Sequence, residues 1–477
     1  MRICALFFAL FIDFAQKISF TENILLVSCI YCIIKRSKMQ AKYRVNEQME
    51  KTIDKKNFKH SDKYQCLLIF LCFFIYFTAQ LGRYSYTSNI NLFIDTLGIN
   101  KTTAGLVGTL YFLFYGAGQI INGIFCKRYN RRMICLFAVI ASSVINVSVF
   151  LGVPFSLLFV LWPLNAACQS VLYPSLMLTI SDNVEKKYLA ASSIVMACAT
   201  TVGTFGSYGL GALFSLPENF KNSFLIAALT MTFAGVVWIF GTAKLNKNEE
   251  KDAANAGSAS GQSTDRPPVP ERQSVSTSQA GKLGVLALAE LAFFSFISHA
   301  VSGGVSTWTP TIIKDVFGLS NGLSAFLSAF IPFFSIFNSI LSELAYRWCK
   351  TFNNASVLLF GITIILSLGV LAILETNYVV LLSFLIAIRL SSGAAVNLYT
   401  AKAPLYLADR CNAGFLSGFL NGLCYLGNAI SSFVLGIIAD NASWNVVFVV
   451  FALMCCLPIV CYFIYLGIVG KHPEKQI

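Results

Sequence analysis

The sequence predicts an all-α membrane protein, with twelve transmembrane helices in two bundles of six joined by a central linker. Three observations predict it. Of 477 residues, 56% are hydrophobic and only 12% charged, about half the charged share that covers a soluble domain. Apolar runs approaching the ~20 residues that cross a bilayer core recur along the chain. One polar stretch, "KLNKNEEKDAANAGSASGQSTDRPPVPERQSVSTSQAGK", divides those runs six and six. Only helices and closed barrels satisfy their backbone groups in lipid, and these runs are far too long for barrel strands.

Residues 1–63 stand apart. Two apolar runs, at 3–14 and 24–34, are too short to span. Asp13, Lys17 and Glu22 interrupt them, and a densely charged segment follows from Lys35 to Lys63. Three readings stay open: a cytoplasmic or membrane-surface tail, a poor signal peptide, or an upstream extension of the reading frame with the start at Met39 or Met49. The lack of a small-residue cleavage site opposes secretion. The first bundle, 64–243, holds spans expected at 65–94, 102–126, 133–152, 155–180, 188–214 and 222–243. Residues 244–282 are rich in Ser, Ala, Gly and Pro, cannot bury a core, and read as a flexible linker. The second bundle, 283–469, holds spans at 283–313, 320–346, 354–374, 378–407, 412–438 and 443–468. Residues 470–477 form a tail.

Loop charges orient the spans. Lys127, Arg128, Arg131 and Arg132 follow span 2, Lys186 and Lys187 follow span 4, and Arg347 and Lys350 follow span 8. The alternate loops carry Asp95, Glu218, Glu375 and Asp440, with Lys101, Lys221 and Lys314 as their cations. Both termini and the linker are therefore expected on the cytoplasmic face of a cell membrane. The same bias accounts for the net charge of +13 without a nucleic-acid partner. The 15 cysteines are scattered through apolar segments as small hydrophobes, apart from Cys29 and Cys32 near the N-terminus. His60, His299 and His472 form no cluster with metal spacing, so no metal site and no cofactor are expected. The expected partners are the lipid bilayer and a small-molecule solute, with the chain acting as a monomer.

The halves echo each other. Span 5 carries Gly203 and Gly211 where span 11 carries Gly427 and Gly436; span 4 carries Asn165 and Gln169 where span 10 carries Gly393 and Asn397. Weak parallel repeats around a central linker predict a two-bundle transporter with its site at the interface, near midplane. Polar residues inside the spans form helical stripes. They are Tyr111, Tyr115, Gln119 and Asn122 on span 2, Asn165, Gln169 and Tyr173 on span 4, and Asn421, Tyr425, Asn428 and Ser432 on span 11. Each stripe suits either interhelical hydrogen bonding or a shared polar cavity.

Charges inside the spans are rarer. Arg83 precedes Asp95 by twelve residues, which puts it about 18 Å below that end of the helix. That depth is beyond easy snorkelling, so the guanidinium needs a cavity or an acidic partner. The nearest acid is Glu290 on span 7; anion binding is the alternative. Arg389 on span 10 follows Glu375 by fourteen residues, at nearly the same depth. Together the two are suited to gripping a divalent anion through planar guanidinium forks, unless Arg389 faces span 11 or 12. Lys402 lies close enough to the cytoplasmic end to snorkel. His299 and Ser302 share a face of span 7, where the histidine either titrates or simply hydrogen-bonds.

No Walker loop, Gly-x-Ser-x-Gly elbow or His-Glu-x-x-His motif occurs, so no enzyme is expected and transport must draw on gradients. Four stretches carry a family likeness: "GRYSYTSNI" on span 1, "FYGAGQIINGIFCKRYNRR" at spans 2–3, "WTPTIIKDVFGLS" after span 7 and "GFLNGLCYLGNAISSFVLGIIAD" on span 11. Through them the chain resembles the major facilitator superfamily, and within it the organophosphate:phosphate antiporters that exchange sugar phosphates and glycerol phosphate. The resemblance implies phosphate-binding arginines on helices 1 and 7 and often a lysine on helix 2. Arg83 matches the first. Ser302 and Gln119 stand at the other two positions, Lys127 takes the place of the loop acid, and Asn130 replaces a glycine. The resulting expectation is a secondary carrier of a small organic anion, phosphorylated metabolites included, working by alternating access. Its substrate-contacting set would be Arg83, Tyr115, Gln119, Asn165, Gln169, His299, Ser302, Arg389, Asn397, Asn421 and Tyr425. A non-transporting sensor on the same fold, or an efflux carrier for a non-anionic compound, are the other readings.

Overall fold

The computed structural model describes residues 62–125, 129–243, 285–407 and 413–469. The expectations for residues 1–61, for the linker, for Lys127 and Arg128 and for the C-terminal tail lie outside these residues. The described chain is helical throughout and contains twelve helices long and apolar enough to cross a membrane. They are α1 (Asp62–Leu97), α2 (Lys101–Asn122), α3 (Arg131–Phe150), α4 (Phe155–Asn183), α5 (Lys187–Leu213) and α6 (Asn222–Gly241), then α7 (Leu288–Phe317), α8 (Asn321–Cys349), α9 (Phe352–Ile373), α10 (Tyr378–Lys402), α11 (Leu416–Asn441) and α12 (Trp444–Ile464).

Four of these are not continuous α-helices, and proline accounts for a break in three of them, α8 having a second at a 3-10 turn, Ser335–Phe337. Proline lacks an N–H and its ring presses on the carbonyl four residues back. In α4 the first segment stops at Ser170, four residues before Pro174. In α8 it stops at Ser328, four before Pro332. In α10 Pro404 follows a π-helical turn at Leu398–Lys402. The fourth break divides α1 at Asn89, between Ser88 and Ile90. There the carboxamide turns onto its own chain and α6, donating to Ser85 O and Ser223 Oγ. The sequence had suggested one unbroken span.

Prolines also free carbonyls, and neighbouring helices occupy them, as a lipid-embedded backbone requires. Pro310 leaves Ser306 O without its helical donor, and Tyr208 of α5 supplies one at 3.0 Å. Pro174 frees Ser170 O, which Gln119 of α2 approaches at 3.5 Å. Pro404 frees Thr400 O, which receives Ser417 Oγ at 3.2 Å.

Glycine sets the close crossings. A Cβ on Gly203 would sit 2.6 Å from Phe77 O of α1, and one on Gly427 would sit 2.2 Å from Phe296 O of α7. These are equivalent crossings in the two halves, α5 on α1 and α11 on α7, so this repeat is geometric as well as sequential. The second pair differs. Gly211 meets Ser88 O of α1, whereas Gly436 meets Lys101 O of α2, in the opposite half. Asn165 and Gln169 likewise differ from their counterparts: they bond to each other, while Gly393 lies against Arg389 and Asn338.

The loops after the odd-numbered helices make one end of the molecule, the Asp95 end, where the two halves are locked together. Lys314 of α7 pairs with Asp95 of α1, and Asn321 of α8 donates to the same carboxylate at 2.8 Å. Lys101 of α2 pairs with Asp315 of α7 at 2.9 Å. Asp440 of α11 caps the N-terminus of α2, accepting from Lys101 N at 3.0 Å and Thr102 N at 2.7 Å. A carboxylate there satisfies orphan N–H groups and meets the positive end of the helix dipole. Asn91 donates to Pro310 O and accepts from Thr311 Oγ1. The loop charges that orient the sequence are thus also the interface between halves. At the opposite end, the ion pairs among described residues stay within one half: Arg131–Asp182, Lys187–Asp62 and Lys402–Glu343.

Candidate functional site

Arg83 lies near the middle of α1, facing α2 and α11, and is only 7% exposed. No acid pairs with it among the described residues. Glu290, the carboxylate nearest by sequence reasoning, instead accepts from Asn353 of α9 at 3.1 Å. Arg83 is surrounded by rings. Its guanidinium carbon lies 4.2 Å from the Tyr115 ring centroid, 5.4 Å from Tyr84 and Tyr111, 5.5 Å from Tyr425 and 5.8 Å from Phe112. Ring faces carry partial negative charge and hold a cation at such distances. They neutralise nothing, however: the arginine keeps its full charge and its Nε has no hydrogen-bond partner.

The rings come from both halves. Tyr115 of α2 and Tyr425 of α11 are 4.7 Å apart, and His299 of α7 sits 5.6 Å from Tyr425. The His299 Nδ1 and the Ser302 hydroxyl are buried without partners. One turn along from Tyr115 and Tyr425, Asn421 donates to Gln119 Oε1 at 3.1 Å, joining the halves again. On the α4 side, Tyr111 donates to Gln169 and Gln169 to Asn165, leaving Asn165 Nδ2 buried and free.

Two pockets flank this cluster. One is a narrow space, lined by Arg83, Tyr84, Thr87, Tyr111, Phe112 and Trp162, among others. The second is roomier, lies between the halves and is lined by Arg389 together with Thr200, Thr204 and Tyr208 of α5, Ser306 of α7 and Ser335 of α8. Arg389 Nε donates to Ser306 Oγ at 2.8 Å, so it faces α7 and the interface rather than α11 or α12. Tyr84 lines both pockets and is the wall between them. The two arginines therefore each have a pocket and share a tyrosine.

Of the expected contact residues, Arg83, Tyr115, Tyr425 and His299 come together in one cluster. Arg389 lines the adjoining pocket, while Gln119 and Asn421 form a bridge beside it. Asn397 is elsewhere: it donates to Ser339 of α8 and lines neither pocket. Lys402 does not snorkel freely but pairs with Glu343 at 2.5 Å. Tyr84, Trp162 and the α5 residues were missed by sequence reasoning. Thr200, Thr204 and Tyr208 repeat every four residues, the same stripe signal that marked α2, α4 and α11; Trp162 gave no polar signal at all.

Residues 72–431 match the family model of the Major Facilitator Superfamily. Over 117 residues the chain is 25% identical to a "Probable hexose phosphate transport protein" of Chlamydia trachomatis; the match covers 24% of this chain and 26% of that protein. Among solved structures, it resembles a bacterial homolog to human lysosomal transporter Spinster. The inward-facing, unoccupied form gives a TM-score of 0.64 at 16% identity, over 80% of this chain and 83% of that one. The inward-facing, occupied form gives 0.65 at 15% identity, over 88% and 99%. These two likenesses concern the fold.

Proposed function

The chain belongs to the major facilitator superfamily and is a membrane transporter of the alternating-access kind; we propose that its cargo is a small organic anion held by Arg83. The carrying observation is a buried guanidinium with no acidic partner among the described residues and a pocket beside it. A charge at such depth is costly and is kept where a solute of opposite sign uses it. Aromatic faces shelter the cation between cycles, and an anion arriving in the pocket gains a charge-assisted contact that the rings do not provide. Arg389, on the other half, supplies the second contact. The 25% match to a hexose phosphate transport protein supports an anionic cargo and keeps phosphorylated metabolites among the candidates.

With the linker on the cytoplasmic side, the locked Asp95 end is the outer one, and the site is closed to the outside in this conformation. Alternating access then requires the Asp95–Lys314 and Lys101–Asp315 pairs to part while the opposite ends of the halves approach. Counterflow into proteoliposomes, screened over inorganic phosphate, sugar phosphates, carboxylates and neutral sugars, tests the assignment. Exchange of an anion supports it, and exchange of neutral sugars alone overturns it. Tight binding without exchange would instead identify a sensor on this fold.

A further inference from the structure

Glu290 and Asn353 are both parts of the second half, away from the arginine pockets, and each keeps a buried oxygen without a donor. Asn353 Nδ2 donates to Glu290 Oε1 at 3.1 Å. Glu290 Oε2 and Asn353 Oδ1 are both buried and unpartnered, and Asn353 is 2% exposed. Two acceptors are thus orphaned on two side chains already joined by one hydrogen bond. Glu290 is partly exposed, two residues from the start of α7, but its buried Oε2 would be an unpaired charged oxygen if the group were a carboxylate.

No cation among the described residues answers it. On the helices packed against α7 and α9, Lys402 and Arg347 are both paired with Glu343. Arg389 is bonded to Ser306. Of the neutral titratable groups, Tyr399 is bonded to Ser356, Tyr462 to Asn354 and Cys424 to Ser295 O, while His299 and Tyr425 belong to the arginine cluster and Cys455 is a buried thiol of α12.

We infer that Glu290 is a proton-binding site, occupied in this conformation, with the proton on Oε2 and Asn353 as its receptor. One proton from water forms the Oε2–H bond, removes the charge and supplies the missing donor. A carboxylic acid and a carboxamide match each other edge to edge, N–H to C=O and O–H to C=O, as their donor and acceptor inventories allow. The site is independent of the solute's identity. Any conformation that separates α7 from α9 or hydrates this pair releases the proton, so the transport cycle becomes linked to pH.

Infrared spectra of the full-length chain in lipid vesicles test the inference. The expected result is a protonated-carboxyl C=O band at neutral pH that is missing from Glu290→Gln. The same band moves to higher frequency in Asn353→Ala, where the O–H and C=O lose their partner. Thermal stability gives a second readout. The carboxamide of the Glu290→Gln variant keeps both hydrogen bonds without a proton. Wild type and Glu290→Gln should therefore melt together in acid and part as the pH rises, with wild type the lower. This sign follows because the folded state holds a proton that the unfolded state gives up. Indistinguishable neutral-pH spectra for wild type and Glu290→Gln overturn the proposal, as do parallel melting curves at every pH. If Glu290→Gln does not fold, an unmoved band in Asn353→Ala is sufficient to reject it.

Discussion

Tyr208 of α5 donates its hydroxyl hydrogen to the backbone carbonyl of Ser306 in α7, 3.0 Å away across the boundary between halves. That carbonyl is available only because Pro310, four residues on, has no N–H to offer it. The same Ser306 receives Arg389 through its side chain. A backbone irregularity thus ties together the interface between halves and the pocket of the second arginine. Tyr208→Phe removes the one donor and leaves a buried carbonyl unsatisfied. It is expected to destabilise the protein by about 1–2 kcal/mol, read as a lower melting temperature in detergent. An unchanged melting temperature would show that another donor takes over.

Asp440 and Asp95 both hold the halves together, but by different physics. Asp440 satisfies backbone donors at a helix N-terminus, where losing the cap costs ~0.5–2 kcal/mol. Asp95 makes a half-exposed ion pair, worth ~0–1 kcal/mol and screened by salt. Asp440→Ala is therefore expected to loosen the Asp95 end more than Asp95→Ala does, and to do so at any ionic strength. Solvent labelling of a cysteine introduced near Asn91 measures the opening. Equal labelling of both variants, with the same salt dependence, would contradict this ranking.

The midspan glycines separate packing from function. Gly427→Ala drives a Cβ to 2.2 Å from a backbone oxygen of α7, whereas the environment of Gly209 has nothing within 4 Å of the added carbon. The first substitution is expected to reduce the yield of folded protein several-fold, since overpacking against backbone typically costs ~1–3 kcal/mol. The second is expected to be silent. Size-exclusion profiles of the two purified variants provide the check, and a well-folded Gly427→Ala protein would refute the close crossing.

Much of this architecture was legible in the sequence because lipid imposes few choices. Apolar runs long enough to span gave all twelve helices, and the Gly203–Gly427 correspondence anticipated equivalent crossings in the two halves. Arg83 was legible because a cation at that depth has few explanations. The pairing of charges was not. Asp95, Lys314, Lys101 and Asp440 are far apart in the chain, and loop charges read singly look like orientation signals. The breaks in α4 and α8 follow from Pro174 and Pro332. The break at Asn89 depends on Ser223 of α6, a partner that periodicity cannot supply. Asn397 shares the helical position logic of Gln169, yet its helix faces α8 at that level, and facing is decided by packing.

The central claim is that Arg83 anchors an anion. Counterflow of the anion identified by the screen, comparing wild type with Arg83→Ala in proteoliposomes, tests it most directly. The account predicts that Arg83→Ala inserts and elutes like wild type but loses exchange by at least about a hundredfold, the size expected when a charge-assisted contact of ~3 kcal/mol is removed. Wild-type exchange in a folded Arg83→Ala protein would contradict it.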